Sequence, residues 1–154
     1  MTGAQAIAPG HRELPVGPGA TEDRPAVVLD TNVVLDLLLF GDPSTQALQA
    51  ALARGELRWL ATPAMREELA RVLAYPHLVA WAAGRGVAMA GVLEAFDARS
   101  RCVADAPPAA MRCSDPDDQK FIDLAVCHRA ALWSKDHAVR RLRRALAAQG
   151  VVLY

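Results

Sequence analysis

Aromatic residues are scarce in this chain, at 5% of 154 positions, and cysteine occurs only three times. An excess of charge is missing altogether, because 17 Lys and Arg are balanced by 17 Asp and Glu. Each shortage closes a class of function. Electrical neutrality excludes a protein that coats nucleic acid or membrane through bulk charge, so recognition of an anion has to come from where the charges sit. Cys102, Cys113 and Cys127 form an odd set with no Cys-x-x-Cys pair, which excludes a disulfide scaffold; His128 stands beside Cys127, but no second pair completes a zinc site. The three are expected to be reduced, mostly buried residues of a cytoplasmic protein. Long hydrophobic runs are also absent. The longest, Val33 to Phe40, is interrupted by Asp36, and residues 1–24 lack the apolar stretch of a secretory signal. The expectation is a soluble chain that engages no membrane.

What is present is a hydrophobic content of 53%, much of it Ala, Leu and Val, in a length that suits one domain with a proper core. Residues 1–24, rich in Gly, Pro, Ala and Thr without periodicity, read as a flexible leader, and the domain is expected over 25–154. Within it the signals alternate. Ala26-Val27-Val28-Leu29 is a continuous apolar run ending at an acid, the pattern of a strand buried on both faces. Helical stretches follow to about Phe40 and from Pro43 to about Arg54, where Gly55 ends the second. Residues 57–61 read as a strand, and Thr62-Pro63 caps and opens a helix to about Ala74. Residues 77–100 read as helix interrupted at Gly84 and Gly86, and Arg101 to Ala104 as a weak strand. A helix from Asp115-Pro116 to about His128, a strand over 131–134, a helix from His137 to Gln149 and a strand over 151–153 complete the chain. Strands separated by helices imply parallel pairing and a three-layer α/β/α sandwich with a mainly parallel central sheet.

Parallel sheets bind ligands at the carboxyl ends of their strands. Asp30 ends the first strand and Asp136 lies just past the 131–134 strand, although Asp is also a favoured helix N-cap and Asp30 can serve as one. Helix geometry sorts the remaining acids. On the helix from Pro63, with Met65, Leu69, Val72 and Leu73 inward, Glu68 falls on the flank of the buried face and Glu67 points away. On the helix from Asp115, with Phe121, Ile122, Leu124 and Ala125 inward, Asp118 shares the buried face, Asp117 flanks it, Asp123 points to solvent and Asp115 is the N-cap. An unpartnered buried acid is costly, and two carboxylates 4 Å apart repel by about 4 kcal/mol at an effective dielectric of about 20. Protonation or a cation has to relieve such a group. All-oxygen donors suit Mg²⁺ or Mn²⁺, which can activate water and offset charge developing on a phosphate. Asp30, Glu68, Asp118 and Asp136 are therefore the expected metal ligands and catalytic acids, one of them positioning the attacking water.

Four blocks carry a resemblance to a known family: Val28-Leu29-Asp30-Thr31-Asn32-Val33, then Glu67-Glu68-Leu69-Ala70-Arg71-Val72-Leu73, then Asp115-Pro116-Asp117-Asp118-Gln119-Lys120-Phe121-Ile122, and Ser134-Lys135-Asp136. In that order, over about residues 25–154, they resemble the PIN-domain nucleases, most closely the branch assigned to the toxins of bacterial toxin–antitoxin pairs. The resemblance implies a Mg²⁺- or Mn²⁺-dependent ribonuclease using Asp30, Glu68, Asp118 and Asp136. Thr31, Asn32 and Ser134 take the small polar positions that support the acids. It also implies an RNA substrate and an antitoxin partner whose tail enters the acidic crevice. After the last acid the family usually has a basic residue and Asp-Leu-Leu, where this chain has His137-Ala138-Val139.

Arg140, Arg141, Arg143 and Arg144 crowd one face of the last helix, where they can meet an RNA backbone or an antitoxin, or form an ordinary solvated face. Trp59 and Trp81 are expected in the core or an interface. The Ala- and Gly-rich stretch 82–95 can pack against a second copy in a homodimer, or within one monomer. Two other functions compete: a catalytically silent PIN-like module that binds RNA or protein, and an aspartyl-phosphate phosphotransferase using Asp30. The phosphotransferase normally wants a second Asp two residues on, where this chain has Asn32.

Overall fold

The structure, a computed structural model, describes residues 23–154. The leader expected over 1–24 lies outside the described residues except at its end, where Arg24 is tied to the domain. Its guanidinium donates to Gly55 O at 2.7 Å, and its carbonyl accepts from Arg58 Nε at 2.9 Å.

Among the described residues four strands form one parallel sheet: β1 (Ala26–Leu29), β2 (Arg58–Ala61), β3 (Ser100–Cys102) and β4 (Ala131–Trp133), in the spatial order β3-β2-β1-β4. All four residues of β1 are buried although they alternate between faces, so helices cover the sheet on both sides and the layers number three. The chain builds outward from β1 to β2 to β3, then returns across to add β4 on β1's other flank. That reversal places the switch point between β1 and β4, where open α/β sheets form their binding crevice.

The helices begin and end where the local chemistry requires. Asp30 caps α1 (Thr31–Leu35), which widens into a π-helical turn over Asp36–Phe40 and stops at Gly41, whose φ of +59° suits a residue without a Cβ. The second helix starts with a tight 3₁₀ turn at Pro43–Thr45 before α2 (Gln46–Ala53). The Thr62 side chain caps α3 (Pro63–Leu73) through the Met65 N–H. Residues 77–100 divide into α4 (Pro76–Ala83) and α5 (Met89–Arg99), the break including Gly86 at φ +65°. A 3₁₀ turn at Pro116–Asp118, capped by Asp115, leads into α6 (Gln119–His128).

The chain's end departs most from expectation. The single helix expected over 137–149 breaks at Arg141-Leu142 into α7 (His137–Arg140) and α8 (Arg143–Ala148). The expected strand 151–153 lies parallel to β4 around a bridge between Leu132 and Leu153, with Leu132 N donating to Val152 O at 2.9 Å, Tyr154 N to Leu132 O at 2.8 Å and Ser134 N to Tyr154 O at 3.1 Å. Cys102 and Cys127 are exposed and Cys113 is half-buried, and all three are free thiols, so the expectation of buried cysteines fails. No described helix is long and apolar enough to cross a membrane.

The core joins the strands to α6 through Phe121, Ile122, Leu124 and Ala125, with Trp59 edge-on to Phe96 at 5.1 Å on the other flank. Ile122 is fully buried. Ile122→Val should lower stability by only about 0.5–1.5 kcal/mol, the cost of one missing methylene in a packed core, and urea denaturation would measure it.

Candidate active site

The geometry follows from the pairing of β1 with β4. Leu29 is in register with Trp133, and the Asp30 N–H donates to Trp133 O at 3.1 Å, so Asp30 and Ser134 emerge side by side at the carboxyl edge of the sheet. Asp30 is 3% exposed. Its Oδ1 accepts from Val33 N at 2.8 Å, so the capping role is real. The Ser134 hydroxyl also bonds its carboxylate, while Ser134 Oγ accepts from Asp136 N at 3.1 Å. One serine therefore ties both acids together. Asp136 in turn caps α7 through Ala138 N at 2.8 Å. Burial pushes the Asp30 carboxyl above its ordinary range, and Asp136 and Asp36 add to that; the Ser134 and Val33 bonds oppose it.

Asp118 arrives from the opposite side, on the 3₁₀ turn before α6. Its carboxyl is pushed up to about 7, first by burial and then by the neighbouring Asp136 charge, with Asp115 and Asp30 contributing. Oδ2 of Asp118 is buried and meets no donor among the described residues. Carboxylate oxygens of Asp115, Asp118 and Asp136 all lie within 4.8 Å of one another. Only a proton or a cation satisfies such a group, and the donors are all hard oxygens. The residues present therefore fit a divalent ion of the Mg²⁺ or Mn²⁺ kind.

Of the four acids expected from the sequence, Asp118 and Asp136 enter this cluster; Asp30 stands outside it, near enough for its charge to bear on Asp118 and Asp136. Glu68 does not join the compact cluster. It lies half-buried on α3 with Oε2 2.6 Å from Lys120 Nζ, in an ion pair bridging α3 and α6, yet that oxygen, like Oδ2 of Asp118, is buried without a hydrogen-bond partner among the described residues. Asp115 takes a place in the cluster while also capping the 3₁₀ turn through Asp117 N at 3.0 Å. Its position one helical turn before Asp118 in sequence was the available signal, obscured because capping alone explained it. Thr31 is half-buried and Asn32 exposed in the first turn of α1. Asp36, expected only as a break in an apolar run, pairs with Lys135 at 2.6 Å.

The arginine cluster is not one stripe. The guanidinium of Arg140 donates to Ser134 O at 3.1 Å and that of Arg143 to Leu153 O at 3.0 Å, so both lock the C-terminal helices onto the edge of β4. All four arginines are nevertheless exposed. Asp123, expected to be solvated, is half-buried and accepts from Ala109 N at 2.9 Å and Gln119 Nε2 at 2.8 Å.

Sheet order and acids together define a parallel α/β domain with an anionic crevice at its switch point. The sequence profile of the PIN domain family matches residues 26–147, and the chain belongs to that family. No curated protein matches it. Among solved structures it is similar to that of VapBC2 from Rickettsia felis bound to a DNA fragment from their promoter. The TM-score is 0.58 over 84% of this chain and 97% of that one, and at 12% identity the likeness is one of fold.

Proposed function

We propose that this PIN domain is a metal-dependent endoribonuclease and the toxin of a toxin–antitoxin pair. The observation that carries the nuclease reading is the Asp115–Asp118–Asp136 cluster, with its unpartnered oxygen, beside buried Asp30 at the switch point of a PIN fold. In this reading Asp118, Asp136 and Asp115 hold Mg²⁺ or Mn²⁺, and Asp30 completes the acidic wall from the end of β1. Such an ion, when bound, supplies an activated water at neutral pH and offsets charge on the phosphoryl oxygens. Ser134 fixes the relative placement of Asp30 and Asp136, so that a phosphodiester entering the crevice meets a preset array. The substrate is RNA. The partner is a small antitoxin whose tail occupies the same crevice, and Arg141 and Arg144 are open to either on the rim. The toxin–antitoxin part is supported by the fold shared with VapBC2 from Rickettsia felis. Retention of Asp30, Asp118 and Asp136 in one crevice disfavours a silent binding module.

The test is cleavage of labelled RNA by the purified protein with Mn²⁺ or Mg²⁺, beside EDTA and Asp30→Asn. Asn is as good an N-cap as Asp, so the variant keeps α1 and removes only the charge. Cutting should require the metal and fall by at least about 100-fold in the variant. Equal cutting by wild type and variant would reduce Asp30 to a cap and withdraw the reading.

A further inference from the structure

Charge in the last stretch of the chain is all of one sign. Residues 137–154 hold four arginines and no acid, in a protein whose charges cancel overall. Two of the exposed large hydrophobic residues, Val152 and Tyr154, lie in the same stretch, Tyr154 at 57% exposure. Single-stranded nucleic acid is bound by this combination, cations for the phosphates and ring faces for the bases.

Local structure brings the groups together. The Leu132–Leu153 bridge sets Trp133 and Tyr154 side by side one position further on, and their rings stack, with centroids 5.1 Å and planes 23° apart. Trp133 is half-buried and forms the support, leaving Tyr154 outermost. One arginine is tied to each of the two paired segments. Arg140 donates to Ser134 O, next to Trp133, at 3.1 Å, and Arg143 donates to Leu153 O, next to Tyr154, at 3.0 Å. A guanidinium has five N–H donors, so each of these exposed arginines is held in place by one and keeps others for a phosphate.

The same segments connect this surface to the crevice. Ser134 joins Asp30 and Asp136 through its hydroxyl, while its N–H donates to Tyr154 O at 3.1 Å. β4 thus has Asp30 on one flank and Tyr154 on the other, two strand spacings or about 10 Å across. Side chains alternate along a strand, so the rings leave on the face opposite the Ser134 hydroxyl. A base that reaches them belongs to a nucleotide flanking the cut bond, not to the one at the acids.

We propose that Tyr154, backed by Trp133, is a stacking platform for a base of single-stranded RNA, with Arg140 and Arg143 taking the adjoining phosphates. This rests on the nuclease reading above. Every base has a ring face, so the platform adds affinity with little choice of sequence.

Binding and cutting are measured separately, with a fluorescein-labelled single-stranded RNA of about eight nucleotides, intact or with one abasic position moved along it. Anisotropy at low salt in EDTA reads affinity alone. Tyr154→Ala should weaken binding about 10-fold, Tyr154→Phe should stay within about twofold, and Tyr154→Leu, apolar but without a ring face, should behave as Ala. At one abasic position wild type should lose a similar factor and Tyr154→Ala nothing further, the coupling of a ring and a base in contact. Arg140→Gln and Arg143→Gln should each flatten the slope of log affinity on log salt by about 0.7, the share of one single-strand phosphate. With Mn²⁺, Tyr154→Ala should raise KM about 10-fold and leave kcat within about twofold. Equal affinity and KM in wild type and Tyr154→Ala, or full rescue by Leu, would overturn the inference and leave the nuclease reading standing. A wild type that bound no RNA would overturn it too. If wild type bound the RNA with these dependences but cut nothing, the nuclease reading would fall and the platform would stand.

Discussion

Asp118→Asn is expected to reduce metal-dependent cleavage by at least about 1,000-fold while making the metal-free protein more heat-stable at neutral pH. The two effects have one origin. Asp118 is pushed up to about 7 from the ordinary 3.8 because burial and the Asp136, Asp115 and Asp30 charges disfavour its anion. Between those two pH values the folded chain holds a proton that the unfolded chain has released. The slope of unfolding free energy with pH is then negative, and the stability contributed by this group is complete below about pH 4 and lost as the pH rises through 7. This is the reverse of the usual carboxylate, whose native pKa is depressed by an ion pair. Asn carries no charge to repel, so the variant should lose that pH slope and melt a few degrees higher above neutrality without metal.

Addition of Mn²⁺ to wild type should raise the melting temperature more at pH 7.5 than at pH 5.5, because at low pH the ion must displace a proton. The variant should show little response at either. Melting curves at several pH values, with and without Mn²⁺, would check both arms. A variant less stable than wild type at neutral pH without metal would show that Asp118 is held by an attraction the crevice geometry does not contain.

The fold was legible because its signals are strong and local. The buried run Ala26–Leu29, the Thr62-Pro63 start and the Asp115-Pro116 start each combine apolar pattern with capping chemistry. Those elements formed within a residue or two of expectation. What failed was decided by tertiary contacts. Arg140 and Arg143 are exposed as the helical wheel suggests, but each also gives one N–H to the sheet edge, to Ser134 O and Leu153 O, which the wheel does not reveal. The last segment did pair with β4 as its apolar character suggests, through three backbone hydrogen bonds around the Leu132–Leu153 bridge.

The acids divide in the same way. Asp30 and Asp136 could be placed together because each ends a strand and neighbouring parallel strands end on one edge. Helix phase placed Asp118 on a buried face, and it stands half-buried on the 3₁₀ turn just ahead of α6. The ion pair of Glu68 with a lysine 52 positions later in the chain is one that no local periodicity reveals.

Asp123→Ala carries the second large expectation, since the residue looks solvated on a helical wheel and is a clamp in the fold. Asp123 and Gln119 are four apart on α6 and so face the same side. Asp123 Oδ1 accepts from Ala109 N at 2.9 Å and from Gln119 Nε2 at 2.8 Å; Gln119 also accepts from Cys113 N at 2.7 Å and donates to Met111 O at 3.1 Å. Residues 109–113 are thereby pinned to the helix that follows Asp118, and Asp115 is two residues further on. Hydrogen bonds to a charged acceptor contribute about 1.5–3 kcal/mol each, so losing the carboxylate should cost about 2–4 kcal/mol in urea denaturation. Because the pinned segment leads directly into Asp115, Mn²⁺ affinity should fall by about 10- to 100-fold, as when an outer support of a metal ligand is removed. Asp123→Asn keeps an acceptor oxygen for Ala109 N and should recover part of both losses. Stability lost with Mn²⁺ affinity intact would mean that the clamp serves the fold alone and that Asp115 finds its place without it.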